Sequence, residues 1–142
     1  MRLEGKTAIV TGAGSGFGEG IAKRFAEEGA SVIIADINDA GGMCVADEIG
    51  PGARYVHADV SIGEHVKGMV VAAREHFGGL DILVNNAGFP QRPGPMDEVP
   101  EDVFDRIFAV NVKSIYLAAR QVIPLFKARG GGVIINIAST GG

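Results

Sequence analysis

The sequence predicts an α/β fold, a doubly wound parallel sheet of five strands flanked by helices. Three observations carry that prediction. Short apolar runs such as Ser31–Asp36 and Val133–Ile137 lack polar alternation, as strands buried on both faces do. Between them lie segments whose apolar residues recur at helical spacing. The first run, Thr7–Thr11, ends in a glycine-rich turn that opens directly into a helix. The length of 142 residues fits a single domain, large enough to bury roughly two thirds of its unfolded surface. A hydrophobic content of 46% excludes disorder as the main state. The 22 glycines are about twice the usual share and cluster at turns, as a chain of short crossovers requires.

Each element follows in order. After a polar lead and the strand Thr7–Thr11, the helical segment Glu19–Glu28 presents Ile21, Ala22, Phe25 and Ala26 on one face, and Gly29 ends it. Ser31–Asp36 is the second strand. Asn38–Gly50 reads as a helix weakened by Gly41 and Gly42, with Cys44 expected as a small packed residue. Gly50-Pro51-Gly52 turns into a third strand, Arg54–His57. Ser61 and Glu64 have capping-box spacing for the next helix, which runs to about Phe77 with Val66, Met69, Val70 and Ala73 on one face. Leu80–Val84 is the fourth strand, and Asn85 and Asn86 after it can tie strand ends together through the backbone. The proline-rich stretch Phe89–Val99 is a surface loop. Pro100–Val112 and Ser114–Arg129 are helices, the second carrying Pro124. Val133–Ile137 is the fifth strand. Right-handed crossovers order the strands 3-2-1-4-5 and place a ligand cleft at the strand C-termini, where strands 1 and 4 diverge.

Composition narrows the function classes. A net charge of −4 without a basic patch argues against nucleic acid. One cysteine, Cys44, allows no internal disulfide and fits a reducing, cytoplasmic setting. No apolar run approaches the about 18 residues of a membrane span. His57, His65 and His76 share no ligand-like spacing, so no metal site is expected.

The richest motif is the first turn. A strand, a glycine turn and a helix start make a phosphate site, because helix-start N–H groups point outward and the dipole favours an anion. Gly12, Gly14, Gly16, Gly18 and Gly20 alternate, yet no frame reads G-x-G-x-x-G. Phe17, Glu19, Ile21 and Lys23 fall where the third glycine would stand. The pattern present is Thr11-Gly12-x-x-x-Gly16-x-Gly18; taken alone it also fits a flexible loop. Asp36, at the end of the second strand, can accept hydrogen bonds from ribose hydroxyls and would repel a 2′-phosphate. Neither Ser15 nor Ile37 is a compensating cation, which favours NAD over NADP. Asp36 also fits a plain turn carboxylate before Asn38-Asp39. By position alone, Asn111 fits an ordinary polar residue between helices and Ser139 a turn residue after the fifth strand.

Together these residues resemble the short-chain dehydrogenase/reductase family of classical type. The matching positions are Thr11-Gly12-x-x-x-Gly16-x-Gly18, Asp36, Asp59-Val60, Asn85-Asn86-Ala87-Gly88, Asn111 and Ile135-Asn136-Ile137-Ala138-Ser139. Phe17 departs from the family's usual Ile or Leu, a change that leaves a backbone role intact. The resemblance implies a single NAD(P)-binding Rossmann domain over residues 1–142. It implies that Gly12, Ser15, Gly16, Phe17 and Gly18 hold the pyrophosphate, and that Asp36 with Ile37 takes the adenosine ribose. Asp59 and Val60 would flank the adenine, and Asn86, Ala87 and Gly88 would line the cofactor. Asn111 would hold a proton-relay water through a local helix distortion, and Ser139 would hydrogen-bond the substrate oxygen. The implied reaction is hydride transfer between NAD(H) and a small-molecule alcohol or carbonyl: a 3-oxoacyl thioester, a sugar or polyol, or a secondary alcohol. A homo-oligomer, tetramer or dimer, built partly on Ser114–Arg129 is implied as well.

The family's chemistry turns on a Tyr-x-x-x-Lys pair after the fifth strand, in which a nearby ammonium lowers the tyrosine pKa. Here Tyr55 is followed four residues later by Asp59, and Tyr116 by Arg120. The expectation is therefore an N-terminal portion of a protein of roughly 250 residues, truncated before that helix and before the family's later strands. The apolar run Val133–Ile137 would then be an uncovered edge. The alternatives are a truncated, catalytically inactive NAD-binding fragment, and another Rossmann-like nucleotide enzyme such as a methyltransferase, which would leave Asn85–Gly88, Asn111 and Ser139 unexplained.

Overall fold

A computed structural model describes residues 1–139. Its elements are β1 (Thr7–Thr11), α1 (Gly16–Glu27), β2 (Ser31–Asp36), α2 (Asp39–Ile49), β3 (Ala53–His57), α3 (Gly63–Phe77), β4 (Ile82–Asn85), α4 (Glu101–Phe108), α5 (Ser114–Arg129) and β5 (Val133–Asn136). A short 3-10 turn, Met96–Glu98, precedes α4, and a π-helical turn, Ala109–Lys113, joins α4 to α5. The strands are parallel in the order β3-β2-β1-β4-β5. This is the expected doubly wound, Rossmann-like sheet. β1 pairs on one side with β2 (Val10 opposite Ile34) and on the other with β4 (Val10 opposite Val84). The change of winding direction therefore falls between β1 and β4.

Strand periodicity divides the core in two. Ile9, Ile33 and Leu83 face one way and pack with Val66, Met69, Val70 and Ala73 of α3 and Ala118, Val122 and Phe126 of α5. Ala8, Val10, Val32, Ile34 and Val84 face the other way, against Ala22 of α1 and Val45 and Ala46 of α2. Every β1 residue is buried, as the lack of alternation predicts. Each large aliphatic side chain sealed this way contributes about 1.5–3 kcal/mol. β5 differs. Ile134 packs against the α3–α5 side, while Val133 and Ile135, which alternate to the other face, are 50% and 39% exposed.

Several expectations are corrected. α1 begins at Gly16, ahead of Glu19, and its first intrahelical bond runs from the Glu19 N–H to the Ser15 carbonyl (3.2 Å). The capping box at Ser61 does not form: α3 starts after Ile62 with no side-chain cap, and the Ser61 hydroxyl donates to Asp59 Oδ1 (2.6 Å) instead. A charged acceptor two residues back outcompetes the helix terminus. Cys44 is exposed rather than packed, with its thiol toward Glu48 Oε1 at 3.4 Å. By contrast, Asn38 does cap α2, its Oδ1 accepting from the Gly41 N–H (3.1 Å). Pro124 lies inside α5, which continues to Arg129. No helix among the described residues is long and apolar enough to cross a membrane.

The glycines that weaken α2 have a packing reason. A Cβ on Gly42 would fall within the ring of Tyr55. That ring cannot yield freely, because its hydroxyl donates to Asp39 Oδ1 (2.6 Å), with the Asp36 carbonyl a second acceptor at 2.9 Å. Gly68 in α3, in contrast, has nothing within 4 Å of its Cβ position. Gly42→Ala is expected to destabilise the fold by about 1–3 kcal/mol through overpacking. Gly68→Ala should stabilise it by about 0.5–1 kcal/mol through helix propensity. Urea melts of the two variants check the opposite signs.

Candidate functional site

The cleft is built at the C-terminal ends of β1, β2 and β4, and its deepest part is a set of contacts that admit no side chain. Gly12 has φ +62°, and a Cβ there would stand 2.9 Å from the α-carbon of Ala87. A Cβ on Gly18 would overlap the Gly12 carbonyl and come within 2.5 Å of Asn86 Nδ2. Only glycine fits at either point. Asn86 clamps the arrangement, its Nδ2 donating to the Thr11 carbonyl (3.0 Å) and the Gly12 carbonyl (3.3 Å). Asn85, the other adjacent amide, donates to Asn136 Oδ1 (2.9 Å) across β4 and β5. Asn86 thus ties strand ends through the backbone as the sequence suggests, whereas Asn85 does so side chain to side chain.

Above this clamp the start of α1 is open. Ser15 makes no side-chain cap, so the N–H groups of Gly16, Phe17 and Gly18 have no partner within the helix. Gly16 has φ +58° and open space at its Cβ position. Phe17 is 85% exposed. The carboxylate of Glu19, in the same first turn, pairs with Lys23 Nζ at 2.6 Å, an ammonium shared with Glu48 Oε2 at 2.5 Å. The terminus is therefore a ready anion site.

Asp36 closes the next side. Its Oδ2 accepts from the Gly14 N–H (2.8 Å) and its Oδ1 from the Asn38 N–H (2.9 Å). A Cβ on Gly14 would stand 2.9 Å from Oδ2. The turn-carboxylate geometry is therefore real, and it also fixes the carboxylate against the glycine turn, with acceptor capacity left on both oxygens. Ile37 is exposed and Val60 buried. Asp59 accepts from the Ser61 N–H and hydroxyl on Oδ1 and from Arg106 Nη2 on Oδ2 (3.1 Å). Burial works against the Asp59 anion, but these donors outweigh it and hold the carboxyl below its ordinary value.

At the far end Gly88 leads to Phe89, whose N–H donates to Asn111 Oδ1 (2.7 Å) and whose carbonyl accepts from Asn111 Nδ2 (3.2 Å). Asn111 sits within the π turn Ala109–Lys113, a helix distortion of the kind the resemblance implied. The Ser114 hydroxyl takes up the Val110 carbonyl there (2.5 Å). Ser139 is exposed beyond the end of β5. The structure joins Gly12, Gly18, Asn86 and Ala87 in one clamp, Gly14 with Asp36, and Asn111 with the Gly88–Phe89 turn.

Two residues around the cleft have contacts that the sequence did not indicate: Thr11, which stood in the glycine motif without a role of its own, and Arg106. Thr11 Oγ1 donates to the Val84 carbonyl (3.3 Å) and accepts from the N–H groups of Asn86 and Ala87 (3.0 Å each). Arg106 reaches Asp59 and Ser61 from α4. Thr11 ends a strand and offered the signal of a hydroxyl where apolar residues dominate. Arg106 gave none.

A parallel sheet that reverses its winding at a glycine-rich turn, with a fixed acid at the end of the next strand, defines the doubly wound α/β proteins with a glycine-turn cleft. Within that class the chain belongs to the short chain dehydrogenase family, whose model matches residues 6–142. It is 42% identical to 3beta-hydroxysteroid dehydrogenase 2 of Eggerthella lenta, over 99% of this chain and 55% of the relative. It is 43% identical to galactitol 2-dehydrogenase of Agrobacterium fabrum, over all of this chain and 56% of the relative. A crystal structure of 3-ketoacyl-(acyl-carrier-protein) reductase from Brucella melitensis complexed with NADH superposes with a TM-score of 0.95 at 53% identity, over 98% of this chain and 59% of that one. The chain thus spans little more than half the length of these relatives.

The clamp itself is testable. Thr11→Val keeps the shape but strands the part-buried N–H groups of Asn86 and Ala87, each costing about 1–3 kcal/mol at most. Chemical denaturation is expected to show a loss of that order, with Thr11→Ser close to the native protein.

Proposed function

We propose that this chain is the NAD(H)-binding part of an oxidoreductase that transfers a hydride between NAD(H) and an alcohol or carbonyl substrate. The observation that carries the reading is the placement of Asp36. Its carboxylate is held by the Gly14 N–H against the same glycine turn that leaves the α1 terminus open. An anion acceptor and a hydroxyl acceptor so placed suit a pyrophosphate and an adenosine ribose. The acid, with no cation at Ser15 or Ile37, disfavours a 2′-phosphate.

When bound, NAD(H) supplies the hydride donor or acceptor at its nicotinamide ring. The rest falls to the protein. The N–H groups of Gly16, Phe17 and Gly18 bind the pyrophosphate, and Asp36 beside Ile37 orients the ribose. Asp59 and Val60 bound the adenine side. Asn86, Ala87 and Gly88 present backbone to the cofactor, their positions held by Thr11. Asn111 pins the Phe89 turn and, in the widened helix around it, holds a water for proton exchange. The Ser139 hydroxyl hydrogen-bonds the substrate oxygen. The relatives include a hydroxysteroid dehydrogenase, a galactitol dehydrogenase and a ketoacyl reductase, which supports a substrate range of 3-oxoacyl thioester, sugar or polyol, and secondary alcohol. A homo-oligomer in the cytoplasm completes the reading.

A second reading, binding without turnover, is favoured for residues 1–142 taken alone. Burial, reinforced by the Asp39 and Asp36 carboxylates, pushes the Tyr55 hydroxyl up, opposite to what proton transfer near neutrality requires. Tyr116 has Arg120 at 3.4 Å, not a lysine.

Calorimetric titration separates these readings. NADH is expected to bind at least about tenfold more tightly than NADPH, and Asp36→Asn to lose most of that preference, since a hydrogen bond to a charged group contributes about 1.5–3 kcal/mol. NADPH binding as tightly as NADH would overturn the cofactor assignment. NADH-coupled turnover by residues 1–142 would overturn the second reading.

A further inference from the structure

α4 carries no buried residue, so its packing alone does not fix it to the sheet. Arg106, near its end, supplies a polar attachment. Its Nη1 donates to the Ser61 hydroxyl (2.8 Å) and its Nη2 to Asp59 Oδ2 (3.1 Å). The same guanidinium lies 5.8 Å from the centre of the Phe89 ring. The Phe89 backbone is held on both its N–H and its carbonyl by Asn111. One side chain therefore touches both the turn after β3 and the loop after β4, and the loop is in turn pinned to the π turn that follows α4.

We propose that Arg106 is a positioning residue that couples the Asp59 turn to the Phe89–Asn111 end of the cleft. The cofactor reading names these two ends as the adenine side and the reacting side, and to that extent the coupling rests on it. The physical basis is the planar fork of arginine. It satisfies Ser61 and Asp59 together while its central carbon lies over an aromatic ring, and lysine can do only part of this. The Asp59 side chain is 19% exposed and that of Arg106 34%, so the pair is only partly screened by water. Loss of the Asp59 charge frees the guanidinium, and the Phe89 turn loses the partner that sits against its ring. Asp59 is also faced from α3 by His65, whose Nδ1 accepts from the Asp59 N–H (3.0 Å). That bond is made to the backbone and survives a neutral side chain at position 59.

Amide hydrogen exchange on the isotopically labelled chain tests the coupling without any ligand. The Phe89 N–H reports the Asn111 clamp, and the Ile33 N–H in the central sheet controls for global opening. Asp59→Asn is expected to speed Phe89 exchange about tenfold in the native background and less than about twofold in an Arg106→Gln background. Arg106→Lys should resemble Arg106→Gln at Phe89, although it keeps the charge. Equal acceleration in both backgrounds, or none in the native one, overturns the proposal. If Asp59→Asn also raises Ile33 exchange, Ser61→Ala takes its place, since it removes the other fork partner and leaves Asp59 intact. ADP, which spans only the adenosine end, provides the second arm. Its binding should shift the Phe89 and Asn111 amide resonances in the native chain but not in Arg106→Gln; equal shifts in both overturn the coupling. Failure of ADP and NADH to bind the native chain counts against the cofactor reading, and the ligand-free cycle still decides the coupling.

Discussion

The contact between Gly18 and the carbonyl of Gly12 is the constraint on which the rest of the cleft depends. With no side chain between them, α1 sits directly on the end of β1. That distance decides where the helix begins and leaves its first N–H groups facing outward. It also brings Ala22, one turn on, into the apolar core beneath. Asn86 and Thr11 hold the two strand ends on either side of that contact, so the junction of β1 and β4 is closed by five hydrogen bonds made by two polar side chains. A ligand meets a surface already in place, which lowers the ordering cost of binding.

Much of this was legible in the residues because the information is local. The three central strands, β1, β2 and β4, show themselves as unbroken apolar runs, helices by their spacing, the first turn by its glycines, and Asp36 by its position at a strand end. What was not legible depends on partners far away in the chain. The Thr11 hydroxyl acquires its role from residues 75 and 76 positions later, and Arg106 from a carboxylate 47 positions earlier. Ser61 shows the conflict directly. Local rules favour a helix cap, and a charged neighbour backed by a distant guanidinium prevails. Cys44 failed for a different reason: hydrophobic type does not say which face of a helix it occupies, and here the face is solvent.

The glycines divide by the same logic. Gly41 and Gly42 look like defects in α2, yet a Cβ at the first would approach the Gly14 carbonyl and at the second the Tyr55 ring. α2 is thus shaved where it passes the glycine turn and β3, and its lost helix propensity is the cost of close packing beside the cleft. Asn111 lies at the opposite extreme. Nothing in the helical periodicity of residues 101–129 announces a π turn; the family resemblance implied one, and the bonds to Phe89 give it a structural purpose.

The amide pair between β4 and β5 has a consequence for assembly of the sheet. β5 meets β4 only after a loop, two helices and a π turn, with Asn85 opposite Asn136. The flanking residues Val133, Ile134, Ile135 and Ile137 are nearly interchangeable aliphatics, so hydrophobicity alone would tolerate a shift along the strand. A slip by one position would set Asn85 against Ile135 or Ile137 and leave a buried amide without its acceptor. It would also turn Ile134 away from α5. One polar pair in an apolar strand thus acts as an alignment key for the last pairing, discriminating among registers that packing would leave almost degenerate.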